Sequence, residues 1–527
     1  MRIFSRTIST ILTITLLFSC AGCSIFEEKE NATSDYAMDD ENYITCMVWD
    51  RGNFPEGYSA DDNALANWIR AKVKEEYGIN LHFISVDRST SDSTIKKMVD
   101  EGTAPDIIFT YSSSVFGYMT KQGKVADLTE SLEKYGDNIK EYIGDIQYMG
   151  SYNDLQVAVM KRRGFKSPRH MAYIRRDWCD MLGLPVPTNK KELIDYLYAV
   201  KENNPGEVDG VIPWAMGGDV NSERFYQGFV GSYVNNLSDR DAYIYSERYM
   251  VVADGAVDGL RELNRLYNDG IISLDFTADK DNSAYVKDVT EGKAGFFVDD
   301  AMSPFTYISE LKAKDSSVRV DPVLCFDLQD GGYRNVAEPD YGMYVMVPAI
   351  SKNKTDAAIK YLNWLADPEI AEMVNYTPDH KNTKAGAPMA MAKDELYAMG
   401  YSGNPDDYCI VNGHFSFVDR KDGQVSTWVE NCPWESQEWF NHLYDLCVED
   451  QFTFPSTSMV LDTEVKYSVE LDTALVEYAY NLICCPSVDF DNLQKDEYEH
   501  LKSLGLEEVL EERGRVFDSG AIKVKAE

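Results

Sequence analysis

The chain has 527 residues, 44% of them hydrophobic, and carries a formal charge of −37 from 51 Lys and Arg against 88 Asp and Glu. That length and apolar content support a sizeable core shared between two or three domains. A surface so acidic repels phosphate backbones and anionic membranes, which sets nucleic acid aside as a partner.

Arg2 and Arg6 give a basic start, followed by the mostly apolar run Ile8–Phe18. The run falls short of the about 20 apolar residues a membrane helix needs and reads as a signal peptide. Cys20-Ala21-Gly22-Cys23-Ser24 closes it in small residues and looks like a bacterial lipobox. Residues 1–22 are then the leader and Cys23 takes the lipid, with Cys20, three residues after Leu17, as the competing site. Residues 23–42 form an acidic tether with little to bury, and disorder is expected there. No later run is long and apolar enough to cross a membrane. Of the ten cysteines, the eight beyond the leader lack a C-x-x-C pair, so no zinc site is expected. The adjacent Cys484 and Cys485 read as helix-end packing rather than a redox pair.

From Tyr43 strands alternate with helices. Ile44–Trp49 reads as a strand, and Asp61 or Asp62 as the cap of a helix striped by Leu65, Trp68, Ile69 and Val73. Gly78 stops that helix, Leu81–Val86 is a strand, Ser91–Glu101 a helix ended by Gly102, and Asp106–Thr110 a short strand. A second such unit starts near Met171, with a short helix Arg176–Leu182 and a capping-box-like start at Asn189 and Glu192. Strands Val211–Met216, Ala294–Val298 and Tyr344–Val347 follow, with a helix striped by Val257, Leu260, Leu263 and Leu266, and another capped by Thr355. The last third is mostly helical, with Thr463–Ile483 its longest candidate. This order predicts an α/β fold around mainly parallel sheets.

Gly102-Thr103-Ala104-Pro105-Asp106-Ile107-Ile108-Phe109-Thr110, followed by Gly123-Lys124-Val125-Ala126-Asp127-Leu128, resembles the most recognisable stretch of family 1 extracellular solute-binding proteins, the group that includes maltose-binding protein. Tyr173-Ile174-Arg175-Arg176-Asp177-Trp178, Gly292-Lys293-Ala294-Gly295-Phe296-Phe297, Tyr361-Leu362-Asn363-Trp364-Leu365 and Leu504-Gly505-Leu506 fit the same pattern in order. The second lobe's start is especially close to the long lipoprotein-type members of Gram-positive bacteria. The resemblance implies a two-lobe periplasmic-binding-protein-like fold with discontinuous lobes, hinge strands and a helix-rich C-terminal third. Lobe 1 would comprise residues 43–170 and 341–380, and lobe 2 residues 171–340 and 381–527, with crossovers near Arg169–Ala172 and Asp340–Met343. It further implies a carbohydrate ligand in the interlobe cleft, ABC transporter permease subunits as partners, and a monomer on the outer face of the cytoplasmic membrane, attached through lipid alone.

A sugar needs flat rings for its C–H face and Asp, Asn or Arg for its hydroxyls. If strand ends face the cleft as the resemblance implies, the candidates are Trp49, Asp50, Arg51, Tyr111, Ser112, Ser113, Trp214, Asp219, Phe297, Asp299 and Tyr341. Trp214, Tyr111 and Asp299 lead this set, and core filling is the alternative role of Trp214. Thr-Tyr-Ser-Ser at residues 110–113 departs from the maltose-binding pattern, so maltodextrin is not assumed. The loop Asn204–Gly210 lacks the alternating oxygens of a calcium loop, and no metal or cofactor is expected. G-x-S-x-G, H-E-x-x-H and phosphate-loop motifs are absent and the six histidines are scattered, so the chain reads as a binder and not an enzyme. A secreted glycosidase or a binder of another solute, such as a peptide or an anionic metabolite, are the alternatives. Arg51 is the only basic candidate, which disfavours an anion.

Replacing Cys23 by Ser should release the protein from membranes or leave its precursor uncleaved, as read by fractionation. Membrane retention with Cys20 and Cys23 both replaced would end the lipoprotein reading.

Overall fold

The computed structural model describes residues 40–520 and 522, apart from 416 and 419. Cys20, Cys23, the leader and nearly all of the tether lie outside the described residues. Internal contacts separate a short unit through Tyr43 from a body starting at Ile44. In the short unit Asn42 N donates to Asp40 Oδ1 at 2.9 Å.

The body holds two large hydrophobic cores and a small third cluster of Tyr243, Leu461, Val516 and Ile522. Strand Tyr43–Asp50 contributes Cys46, Met47, Val48 and Trp49 to the first. Helix Ala64–Tyr77 follows and buries Leu65, Ala66, Ile69 and Val73. Its cap is Asn63, whose side chain accepts from Leu65 N and Ala66 N at 3.1 and 3.0 Å and so satisfies two orphan donors. Neither expected aspartate caps it. Asp61 accepts instead from Phe83 N at 2.7 Å and pairs with Arg70, tying the helix start to strand Asn80–Asp87. Strand Ile108–Thr110 then leads through Ser112 into helix Ser113–Lys121.

The sheets are mixed rather than mainly parallel. In the first lobe Tyr341–Met346 lies between Ile108–Thr110 and Val159–Arg162, antiparallel to both. The second lobe's sheet runs Val320–Val323, Met171–Arg175, Ala294–Asp299, Ile212–Ala215, and its last pair alone is parallel. Strands beside an interlobe crossing run against their neighbours because the chain enters there from the other lobe.

The first core draws on residues 44–160 and 343–418, the second on 171–325 and 425–509. Two crossings lie side by side: Arg163 N donates to Asp340 O at 2.9 Å, Glu338 N to Ser167 O at 3.1 Å, and Arg169 N to Val336 O at 2.7 Å. Ala172 and Met343, expected within the crossings, are instead buried inside strands. Residues 381–418 were expected in lobe 2, but Ala387, Leu396, Tyr401 and Tyr408 pack in the first core. Tyr408 donates to Ala60 O at 2.6 Å and Asn412 Nδ2 to Ala366 O at 2.7 Å, so the chain leaves this lobe only at a third crossing after Val418. Helices Lys421–Asn431, Gln437–Val448, Asp462–Cys484, Phe490–Ser503 and Leu506–Asp518 complete the helical last third.

Trp214 is 0% exposed, enclosed by Phe229, Phe296 and Phe326 with ring centroids 5.5, 5.0 and 6.1 Å away. Phe297, 1% exposed, stacks on Tyr173 at 5.6 Å. Both expected ligand platforms are therefore core residues, because the strands that carry them are covered on the faces they point to. Trp214→Ala should cost about 3–5 kcal/mol of stability by denaturant unfolding. Ligand affinity in the surviving folded fraction should stay unchanged.

Candidate functional site

Two contiguous cavities, about 190 and 230 Å³, open between the lobes and share Ser113, Ser114, Arg169, Glu247, Glu464 and Arg513. From the first lobe come the start of helix Ser113–Lys121 and the rings of Tyr111, Tyr341 and Tyr344. Ser112 caps that helix by accepting from Val115 N at 3.2 Å, and its hydroxyl lies 2.8 Å from that of Ser114. Tyr111 is 42% exposed. It leans on Trp49, centroids 5.6 Å apart, with the Arg163 guanidinium 5.4 Å from its ring centre.

The second lobe supplies Tyr243 and residues 246–249, Glu464 and Ser468 with Asp472 on the long helix, and Arg513 on the last helix. A strap of residues 453–461 closes one side. The lobes touch beside it. A Cβ on Gly117 would fall 2.5 Å from Val460 and 2.8 Å from Val465, so this close approach requires glycine.

The floor is an ion network. Glu223, 0% exposed, faces Arg169 Nη2 at 2.8 Å, Arg248 Nε at 3.3 Å and His170 Nε2 at 3.7 Å. Neither of its oxygens makes an aligned hydrogen bond, so charge and proximity hold it. Burial works against its ionisation, but Arg169, His170 and Arg248 outweigh burial and hold the carboxyl well below the usual range. Arg169 also meets Glu247 at 3.2 Å, and Arg513 meets Glu464 at 2.8 Å while lying over Tyr249 at 4.0 Å. His170 reaches Asp300 at 3.4 Å. Burial disfavours its imidazolium, yet Asp300 and Glu223 raise it above its ordinary value.

Of the residues expected at the site, Tyr111, Ser112, Ser113 and Tyr341 line these cavities. Trp49 stands behind Tyr111, Asp50 accepts from Ser85 Oγ at 2.9 Å, and Arg51 is tied to Asp407 at 2.7 Å. Asp299 is held by Arg224 at 2.9 Å and Asp219 by the same arginine at 3.7 Å, so both are committed within their lobe. Burial raises the Asp299 carboxyl, with Arg224 pulling it back. In the loop without calcium spacing, the Asn204 side chain binds Val208 N and O at 3.1 and 2.9 Å, closing the turn on itself.

Sequence reasoning missed Arg169, Glu247, Arg248, Arg513 and the stripe Glu464, Ser468, Asp472. The stripe had a signal, since polar residues four apart on a long helix that otherwise buries Leu471, Leu475 and Ala479 mark a wet face.

A model of the family described as bacterial extracellular solute-binding protein matches residues 52–372. The chain belongs to this family. Among curated proteins, the fructooligosaccharide ABC transporter substrate-binding protein FusA of Streptococcus pneumoniae is 25% identical over 232 residues, 41% of this chain. The match spans 38% of that relative's length. Among solved structures, the S. pneumoniae FusA EF-hand mutant in complex with fructo-nystose superposes with a TM-score of 0.64 at 16% identity, covering 91% of this chain and 99% of that one. An HMO-binding, ABC-transporter-associated solute-binding protein of Bifidobacterium longum infantis gives the same TM-score, identity and coverage. The solute-binding protein thus has the family's two-lobe α/β fold, and its family and neighbours are binding proteins rather than enzymes. The family is extracellular, and among the described residues no helix is long and apolar enough to cross a membrane.

Glu223→Gln removes the buried charge between Arg169 and Arg248 and should cost about 3–5 kcal/mol at neutral pH. Because the carboxyl is depressed, this stabilisation is present above the ordinary carboxylate pKa and is lost as pH falls through the lower folded value. Unfolding of both proteins from pH 7 downward should show the gap narrowing only in acid.

Proposed function

We propose that this solute-binding protein captures a carbohydrate, a mono- or oligosaccharide, between its lobes and delivers it to the permease subunits of an ABC importer. It does so as a monomer, held to the outer face of the cytoplasmic membrane of a Gram-positive bacterium by lipid on Cys23, and without chemistry on the ligand. The composition of the cleft carries the reading. Tyr111, Tyr243 and Tyr341 offer ring faces, Ser113, Ser114 and Ser468 offer short hydroxyls, and charged groups stand between them. Arg169, Arg248 and Arg513 are matched by Glu223, Glu247 and Glu464, so no surplus cation awaits an anion. That balance favours a neutral sugar. The name of the curated relative, a fructooligosaccharide-binding component, supports the same class.

Thermal unfolding in the presence of a glycan panel tests this. A matching neutral glycan at 100 times its dissociation constant should stabilise the protein by about 2.7 kcal/mol. The scattering radius should shrink as the lobes close on it, and no new reducing ends should appear. A shift with peptides or anionic metabolites and with no glycan would overturn the carbohydrate reading.

A further inference from the structure

Helix Asp462–Cys484 turns Glu464, Ser468 and Asp472 into the cleft, at positions spaced by four and so stacked along one face. Three carboxylates line the cavities, and two are already occupied. Glu247 holds Arg169 and Glu464 holds Arg513. The Asp472 carboxylate has no ion pair and accepts no hydrogen bond among the described residues; only its backbone carbonyl is used, by Arg248 Nη1 at 3.3 Å.

We propose that Asp472 is a specificity-determining residue of the cleft, its carboxylate accepting hydrogen bonds from two adjacent hydroxyls of a neutral sugar ring. This rests on the carbohydrate reading above and names the group that selects among sugars. Asp472 is half-buried on the cavity wall, and a carboxylate partly withdrawn from water without protein donors is a cost to the unliganded protein. A vicinal diol supplies two donors at the spacing of one carboxylate, and a bound sugar removes that cost. The charged groups around Asp472 set its proton affinity. Burial pushes its carboxyl up, Arg248 and Arg513 pull it back, Glu247 and Glu464 add to the rise, and it settles at about 6. The Tyr249 ring and Ser468 complete the lining near it, and Tyr111 offers a ring face from the opposite lobe.

The test uses the mature protein, a panel of neutral oligosaccharides built on glucose, fructose, galactose and mannose, and calorimetric titration. For the sugar that binds, Asp472→Asn should weaken affinity at least tenfold at pH 7.5. The unliganded variant should melt no lower than the parent, because an unpaired, half-buried charge has gone. Affinity of the parent should fall between pH 7.5 and 5, and that of D472N should stay flat. Deoxygenation of one of the two hydroxyls should cost the parent affinity and leave D472N indifferent. Equal affinity of parent and D472N for the same sugar would overturn the role of Asp472 while leaving the carbohydrate reading standing. Binding of no sugar by the parent would overturn both. Tighter binding of a cationic amino sugar than of its neutral counterpart, lost in D472N, would overturn the hydroxyl assignment in favour of an ammonium.

Discussion

A carboxylate with no exposure to water sits where the chain passes from one lobe to the other. Taking Glu223 out of solvent costs several kcal/mol, and only close cationic partners offset such a cost. Arg169, Arg248 and His170 provide them. Arg169 and His170 lie on the connection between the lobes, and Arg248 belongs to the segment that walls the cleft. One buried charge therefore fixes the path of a crossing and the positions of two guanidinium groups that face the ligand space.

The rest of the cleft inherits that arrangement. With Arg169 held by Glu223 from below, Glu247 pairs with it from the side, and the Arg513–Glu464 pair repeats the pattern between the last helix and helix Asp462–Cys484. The wall is polar yet nearly neutral, suited to hydroxyls more than to a formal charge. Close contact of Gly117 with Val460 and Val465 joins the first lobe to the strap that covers the cavity. Two backbone-paired crossings, and a third further along the chain, join the lobes.

The elements themselves were legible. Helix stripes such as Leu65, Ile69 and Val73, glycine stops such as Gly78 and Gly102, and the long helix near Thr463 carry their own periodicity and caps. Strand direction was not, because parallel and antiparallel neighbours bury the same residue types. Residues 381–418 were placed in the wrong lobe for a related reason. Tyr401 and Tyr408 look like any buried tyrosines, and only their contacts show which core they enter.

The site divides in the same way. Composition and alternating elements give an acidic α/β chain, the resemblance to a known family implies a two-lobe binder, and the chain segment bearing Tyr111, Ser112 and Ser113 stands at a strand end, where a local rule places the cleft. Trp214 and Phe297 obeyed that rule equally well and lie in the core, since the alternation of a short strand tells which residues share a face and not which face is covered. Arg169, Glu247, Asp472 and Arg513 come from four separate stretches of the chain. Their meeting is a matter of tertiary structure, because a charge far along the chain becomes a partner only when packing brings it within a few ångströms and removes the water between.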